Sequence, residues 1–403
     1  MAEKFKIAIV GSGPCGMSAG GRAAELGVSH IVLEKANHLS DTIFKFQKGK
    51  HVMATPDVLP LRSPMSFSIG IREDILDNWN RQTNELGVNI KYDAEVLDIE
   101  GDEGNYKLKL KNGEYVEAEN IVLGIGLQGN LRKVGVPGSE WEKVQYQLDD
   151  PGEYESENIV VIGAGDAAIE NAIALSKQNN VYIVNRRGEF ARAKDGNIKL
   201  IEGAIESGEI SCFYNSNPKL VEPGKIVLET ADGEAIVQCD RIIARLGAIP
   251  PRKFVEACGV EFPNKDPSSL PELTPKYETN KKGLYIVGAL AGFPLIKQAM
   301  NQGYEVVEFI QGNEIKPADE PLLEEKFGSL LNNEQNVDSL IGHIKSQVPL
   351  LNGLTGLQLR EFLIDSTIHQ LNEDETVFQR NDYTNSFFMI VDGGVKIIVD
   401  ETN

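Results

Sequence analysis

Positive charge is scarce in this sequence. Its 403 residues carry 40 Lys and Arg against 60 Asp and Glu, a formal net charge of −20. A chain this acidic repels nucleic acid and anionic membrane surfaces, so neither is expected as a partner. Cysteine is also sparse: Cys15, Cys212, Cys239 and Cys258 are all there are. They form no C-x-x-C pair, no metal-ligand spacing and no disulfide framework. A reducing, cytoplasmic setting without a bound metal is expected. No apolar run approaches the roughly 20 residues that span a bilayer. The first apolar stretch, Ile7 to Val10, is too short for a secretory signal and runs straight into a glycine turn. Histidines number five, and His51 is the one placed where it could approach a cofactor.

Glycine is plentiful, and it is patterned. "KFKIAIVG" reads as a buried parallel strand, and "GPCGMSAGGRAAELG" has helical spacing with small residues on one face. Ile31 to Leu33 makes a second strand that ends on Glu34, 21 residues after Gly13. Strand, G-x-G-x-x-G, helix, strand and acid together form a dinucleotide fingerprint. Gly11 permits the tight turn, Gly13 lets backbone amides reach a pyrophosphate, and Gly16 allows close helix–strand packing. The helix start adds N–H donors and positive partial charge. Glu34 is expected to bind a ribose diol.

The pattern returns 152 residues later as Gly163, Gly165 and Ala168, in "NIVVIGAGDAAIENAIALSKQ". An internal duplication of a nucleotide-binding unit follows. Asn185 stands 20 residues after Gly165, where an NAD site prefers an acid, and Arg186, Arg187 and Arg192 follow. Neutral asparagine with arginines suits a ribose 2′-phosphate, so NADPH is expected over NADH. Two dinucleotide sites in one chain suggest hydride transfer from a nicotinamide to a flavin.

"GLYIVGALAGFPLIKQAMNQGYEVVEFI" reads as a strand, a glycine turn and a long helix from about Pro294. With both fingerprints, the paired arginines, "NIVLGIGLQGNLRKVGVPG" and "DRIIARLGAIPPRKF", residues 4 to 316 resemble the thioredoxin-reductase-like flavoproteins. The resemblance implies an α/β fold of two Rossmann-like domains, the FAD domain (1–128 and 251–316) split by an inserted NADPH domain (129–250). It implies FAD held by Gly11, Gly13, Pro14, Gly16, Glu34, Lys35, Gly126, Gly288, Leu295 and Lys297. NADPH falls to Gly163, Gly165, Ala168, Asn185, Arg186, Arg187 and Arg192. A homodimer is the expected assembly. Gln298 lies at the same helix start as Lys297, while Lys45 and Lys48 are candidates to neutralise flavin or substrate charge. The family usually has an aspartate after the returning glycine, but here Ala289 follows Gly288.

Because C-x-x-C is absent, ordinary dithiol relay to thioredoxin is excluded. "GSGPCG" resembles the bacillithiol-disulfide reductases, whose cysteine in this turn is proposed to act in thiol chemistry. That implies a catalytic Cys15, its thiol lowered by the helix dipole. Cys212, Cys239 and Cys258 read as structural. The expected function is an NADPH-dependent FAD oxidoreductase serving a thiol, disulfide or other small-molecule or protein acceptor. One alternative resembles the ferredoxin reductases, which also lack C-x-x-C and donate to an iron–sulfur or haem partner. Another is a non-enzymatic nucleotide-occupancy sensor acting through the C-terminal module.

That module follows an acidic, proline-bearing stretch read as a linker, 317–335. Residues 336–403 show helical periodicity and then short β-like runs, "TVFQRND", "SFFMIVDGG" and "VKIIVD". They resemble the start of a cyclic-nucleotide-binding domain, with Phe378, Gln379, Arg380, Asn381 and Asp382 at its turn. Asp392, Gly393 and Gly394 stand at its hairpin. A helical and partial β-roll segment is implied. The phosphate cassette of such domains is missing, so cyclic-nucleotide binding by this segment is not expected.

Overall fold

A computed structural model describes residues 4–127, 130–328, 330, 336–379, 381, 382 and 386–398. Two parallel sheets organise the first 310 residues. The first runs Ile90–Lys91, His30–Leu33, Lys4–Val10 and Tyr115–Leu123, all parallel. The last strand is shared: its C-terminal half pairs with Leu284–Ile286, and its N-terminal half pairs antiparallel with Tyr106–Leu110. Val96–Glu100 closes that edge. This sheet therefore draws on residues 4–123 and again on 284–286. Ile7, Ala8 and Ile9 are fully buried, as central strands covered on both faces must be.

The second sheet lies wholly inside that interval. Its order is Val144–Gln145, Arg241–Ala244, Asn158–Ile162, Asn180–Val184, Ile210–Phe213, all parallel. Three antiparallel strands between Asn217 and Gln238 pack against it. In each unit a fingerprint helix, Pro14–Glu25 or Asp166–Ser176, follows the central strand. The long returning helix, Ile296–Ile310, lies against the first of these. No helix among the described residues is long and apolar enough to cross a membrane.

The stretch expected as a linker holds a helix, Glu320–Phe327, because Leu323 and Phe327 bury themselves against two more helices. These are Val337–Gln347 and Gly356–Ile364, each opened by a capping box. Residues 329 and 331–335 of that stretch lie outside the described residues. The expected β-like runs are not strands: none occurs among the described residues after Ile364. A half-roll lacks partner strands to satisfy its edges. Phe378 instead lies on Phe388, and Met389 and Val391 pack on the helical cluster. Arg380, Val399 and Asp400 fall outside the described residues.

Glu305 of the returning helix is buried where this helical unit meets the first sheet's domain. It accepts hydrogen bonds from Tyr277 Oη, the Ala318 amide and Arg62. Burial nonetheless pushes its carboxyl up to about 7, from an ordinary 4.5. Between these values the native chain keeps a proton that the unfolded chain has released. Stability from this group therefore falls as pH rises from about 4.5 to about 7. Glu305→Gln keeps an acceptor for Ala318 and offers Tyr277 a donor. It is expected to gain on wild type by on the order of 3 kcal/mol between pH 5 and pH 8. Urea denaturation of both proteins at the two pH values tests this; a constant difference between them would refute it.

Candidate dinucleotide sites

The first glycine turn joins Val10 to the Pro14–Glu25 helix. Gly11 has φ +98°, and a Cβ there would sit 2.7 Å from the Gly124 carbonyl. At Gly16 a Cβ would lie 1.9 Å from the Gly11 carbonyl, so the turn closes only on glycine. Gly13 is different: an added Cβ would meet only the Gly124 oxygen, at 3.9 Å. That side of the turn is open to a pyrophosphate, beside a helix start where Pro14 needs no hydrogen-bond partner. Gly126, with φ +60°, also faces open space.

Glu34 is 4% exposed. Its carboxylate accepts from Ser12 N at 2.8 Å, Ser12 Oγ at 2.7 Å and Ala36 N at 2.9 Å. Three of about four lone-pair positions are filled, which leaves one on Oε1 for a ribose hydroxyl. Lys35 beside it is exposed. The site thus fits a dinucleotide in its backbone openings and its acid.

Cys15 is where expectation and structure part. Its side chain is 4% exposed and wedged between two strand ends. Sγ lies 3.8 Å from the Gly124 carbonyl and 3.9 Å from that of Val287, and a Cβ on Gly288 would come within 2.9 Å of it. Burial works against the expected dipole-lowered thiolate, pushing the thiol up to about 12. Cys239 and Cys258 are pushed to about 12 and Cys212 to about 11, again by burial.

Gly288 opens the returning turn at φ +77°, and its amide donates to Gln302 Oε1 at 2.6 Å. Leu295 is the extended residue before the returning helix. The Lys297 ammonium donates to the Pro56 carbonyl, and Asn301 bonds both Arg62 N and the Pro60 carbonyl. The helix start therefore holds the 56–62 segment. Gln298 Oε1 is buried there without a partner among the described residues. The other lysines are not free for a cofactor, since Lys45 pairs with Asp41 and Lys48 with Asp150. His51 is exposed, on a two-residue strand against Ile71.

The second turn repeats the geometry of the first. Gly163 has φ +134°, and a Cβ would stand 2.4 Å from the Arg245 carbonyl. Gly165 faces open space, while Ala168 is buried against Gly163. Asn185 is 1% exposed and shapes the loop after its strand, donating to the Glu189 carbonyl and accepting from Arg187 N. Arg186, Arg187 and Arg192 are thereby exposed. None has a carboxylate partner among the described residues, whereas Arg241, at the opposite end of the same sheet, is paired with Glu157.

Sequence reasoning missed Arg245. It ends the Arg241–Ala244 strand beside Gly163; Nη1 donates to the Tyr146 carbonyl, and buried Nε has no partner among the described residues. An arginine closing an apolar strand at the glycine turn was the available signal. The two units meet through Lys50–Glu170, Arg72–Asp149 and a Gln47–Asn171 hydrogen bond.

Two parallel sheets, each with a glycine turn open to a pyrophosphate at the C-terminal end of its central strand, define a two-dinucleotide oxidoreductase. The family described as pyridine nucleotide-disulphide oxidoreductase matches residues 8–288, and the chain belongs to it. It is an oxidoreductase of the pyridine-nucleotide-using kind. A ferredoxin–NADP reductase of Ignicoccus hospitalis is 26% identical over 305 residues, covering 73% of this chain and 93% of that protein. Bacilliredoxin reductase Bdr of Bacillus subtilis is 22% identical over 293 residues, covering 71% and 90%. Among solved structures, bacillithiol disulfide reductase Bdr of Staphylococcus aureus superposes with a TM-score of 0.70 at 20% identity, over 77% of this chain and 99% of that one. Lactococcus lactis thioredoxin reductase gives 0.63 at 21%, over 76% and 98%. These likenesses show the fold.

Proposed function

We propose that the chain is an NADPH-dependent reductase that delivers electrons from its flavin to an iron–sulfur or haem partner outside the chain, without a protein thiol. The single observation that carries this is the burial of Cys15 between Gly124 and Gly288, closed off from any bound substrate. Burial holds this group in its thiol form, and the thiolate is the nucleophile. With no C-x-x-C pair, a dithiol route has no residues to run on. Ferredoxin–NADP reductases recur among the relatives, which supports the same reading.

The first turn and Glu34 would hold FAD, with Gly126, Gly288 and the start of the returning helix around its ring. The second turn and the arginine loop would hold NADPH. Residues 1–128 with 251–316, and 129–250, are the proposed domains. When bound, FAD accepts hydride from NADPH and releases electrons singly or in pairs. The N-terminal amides of the returning helix would favour negative charge on a flavin bound beside it. With Ala289 after Gly288, backbone groups of this turn would have to hold the flavin there. The reading of 336–403 as the opening of a cyclic-nucleotide-binding-like domain rests on its sequence pattern.

Cys15→Ala is the test. It is expected to keep NADPH-driven reduction of a one-electron acceptor within about twofold, and to cost about 1–2 kcal/mol of stability for the lost sulfur contacts. Stopped-flow acceptor reduction and urea unfolding measure the two. A tenfold loss of turnover in a stable, FAD-loaded variant would return Cys15 to the mechanism.

A further inference from the structure

We propose that the last helix, Gly356–Ile364, is part of the flavin site, with Arg360 as the positioning residue that holds it against the Gly288–Phe293 turn. The inference rests on the flavin reading of the first glycine turn and Gly288. Leu357 is buried in the same apolar cluster as Leu290, Ala291 and Phe293, more than sixty residues away in sequence. Gly292 has φ +104°, and a Cβ there would lie 2.9 Å from Gln358 Cγ. Turn and helix are therefore in van der Waals contact. The Gln358 amide is held in place by the capping box: its Oε1 accepts from Thr355 N, and its own backbone N–H donates to Thr355 Oγ1. Its stem is what presses on the turn.

Arg360 is 3% exposed and anchors this helix through three carboxylates. Nε and Nη2 bond Asp319 at 2.9 and 3.1 Å, Nη1 bonds Asp338 at 2.8 Å, and Nη2 also reaches Glu320. Asp319 follows Ala318, whose amide donates to Glu305 of the returning helix at 2.6 Å. One turn earlier on that helix, Gln302 accepts from the Gly288 amide. The clamp thus grips both ends of the turn, Gly288 from the returning helix and Gly292–Phe293 from the last helix. Ala289 in this turn offers no polar side chain to a flavin bound there. With no side chain to hold the cofactor there, backbone placement must do so, and a loose turn costs binding directly.

The test uses the full chain as wild type, Arg360→Met, Arg360→Lys and Leu357→Ala. It measures FAD affinity by flavin fluorescence, the flavin visible spectrum and midpoint potential, and amide exchange over 286–296 and 158–176. Arg360→Met is expected to weaken FAD at least tenfold and to speed exchange over 286–296 at least tenfold, with 158–176 unchanged. Lysine should recover part of the affinity. If Arg360→Met does not fold, Leu357→Ala decides by the same readings. A folded variant with wild-type FAD affinity, spectrum, potential and exchange overturns the inference alone. A wild-type chain that binds no FAD overturns the flavin reading and this inference with it.

Discussion

Replacing Arg186 and Arg187 together with alanine is expected to raise the KM for NADPH about 100-fold while leaving that for NADH within about threefold. Both guanidinium groups are exposed and have no carboxylate partner among the described residues, in a chain with 60 acidic and 40 basic residues. Lys45 and Lys48, by contrast, are paired with Asp41 and Asp150. The loop that presents the arginines is built by Asn185, which bonds its own backbone instead of offering an acid to a ribose. A charge-assisted contact to phosphate contributes about 1.5–3 kcal/mol, and two exposed ones discounted for solvent give about 3 kcal/mol, or roughly 100-fold. The same physics makes the NADPH KM rise with salt more steeply than that of NADH. Steady-state kinetics with both nucleotides at two ionic strengths decides the matter. If the variant loses NADPH and NADH activity equally, the arginines do not read the 2′-phosphate.

Gly303→Ala should damage the protein severely for a single added methyl group. A Cβ at this position would stand 2.0 Å from the Cys15 carbonyl and 3.0 Å from the Ala19 amide. The clash is backbone against backbone, so no side-chain rotation relieves it. The fingerprint helix has no room to retreat, because Gly16 already lies against the Gly11 carbonyl. Ser18 Oγ donates to the Met300 carbonyl at 2.6 Å, and Arg22 pairs with Glu308, so the two helices are also tied along their length. Overpacking a well-filled core costs about 1–3 kcal/mol and occasionally more, and this site is at the upper end. A melting temperature lower by about 10 °C and loss of bound flavin are expected, read by calorimetry and by the 450 nm absorbance. A variant melting within about 2 °C of wild type would show that the helices part more easily than their packing implies.

Local conformational demands made much of this protein legible in the sequence. Gly11 and Gly163 stand where the backbone must take positive φ, while Gly13 and Gly165 face open space beside a helix start; these features are written into a few adjacent residues. Strand and helix periods placed Glu34 and the arginine loop at strand ends for the same reason. The C-terminal β-like runs were misread because alternation alone does not make a sheet without partner strands.

Sequence alone determined the two glycine turns, the acid that ends the second strand, the arginines after Asn185 and the absence of a C-x-x-C pair. Tertiary structure alone decided the state of Cys15, the helix contact at Gly303, the place of Arg245 and the docking of the last helix on Gly292. Each of these depends on which distant segment faces the residue. Burial and desolvation are set by neighbours a hundred or more residues away, such as Gly124 and Val287 around Cys15, and no local pattern in the chain encodes them.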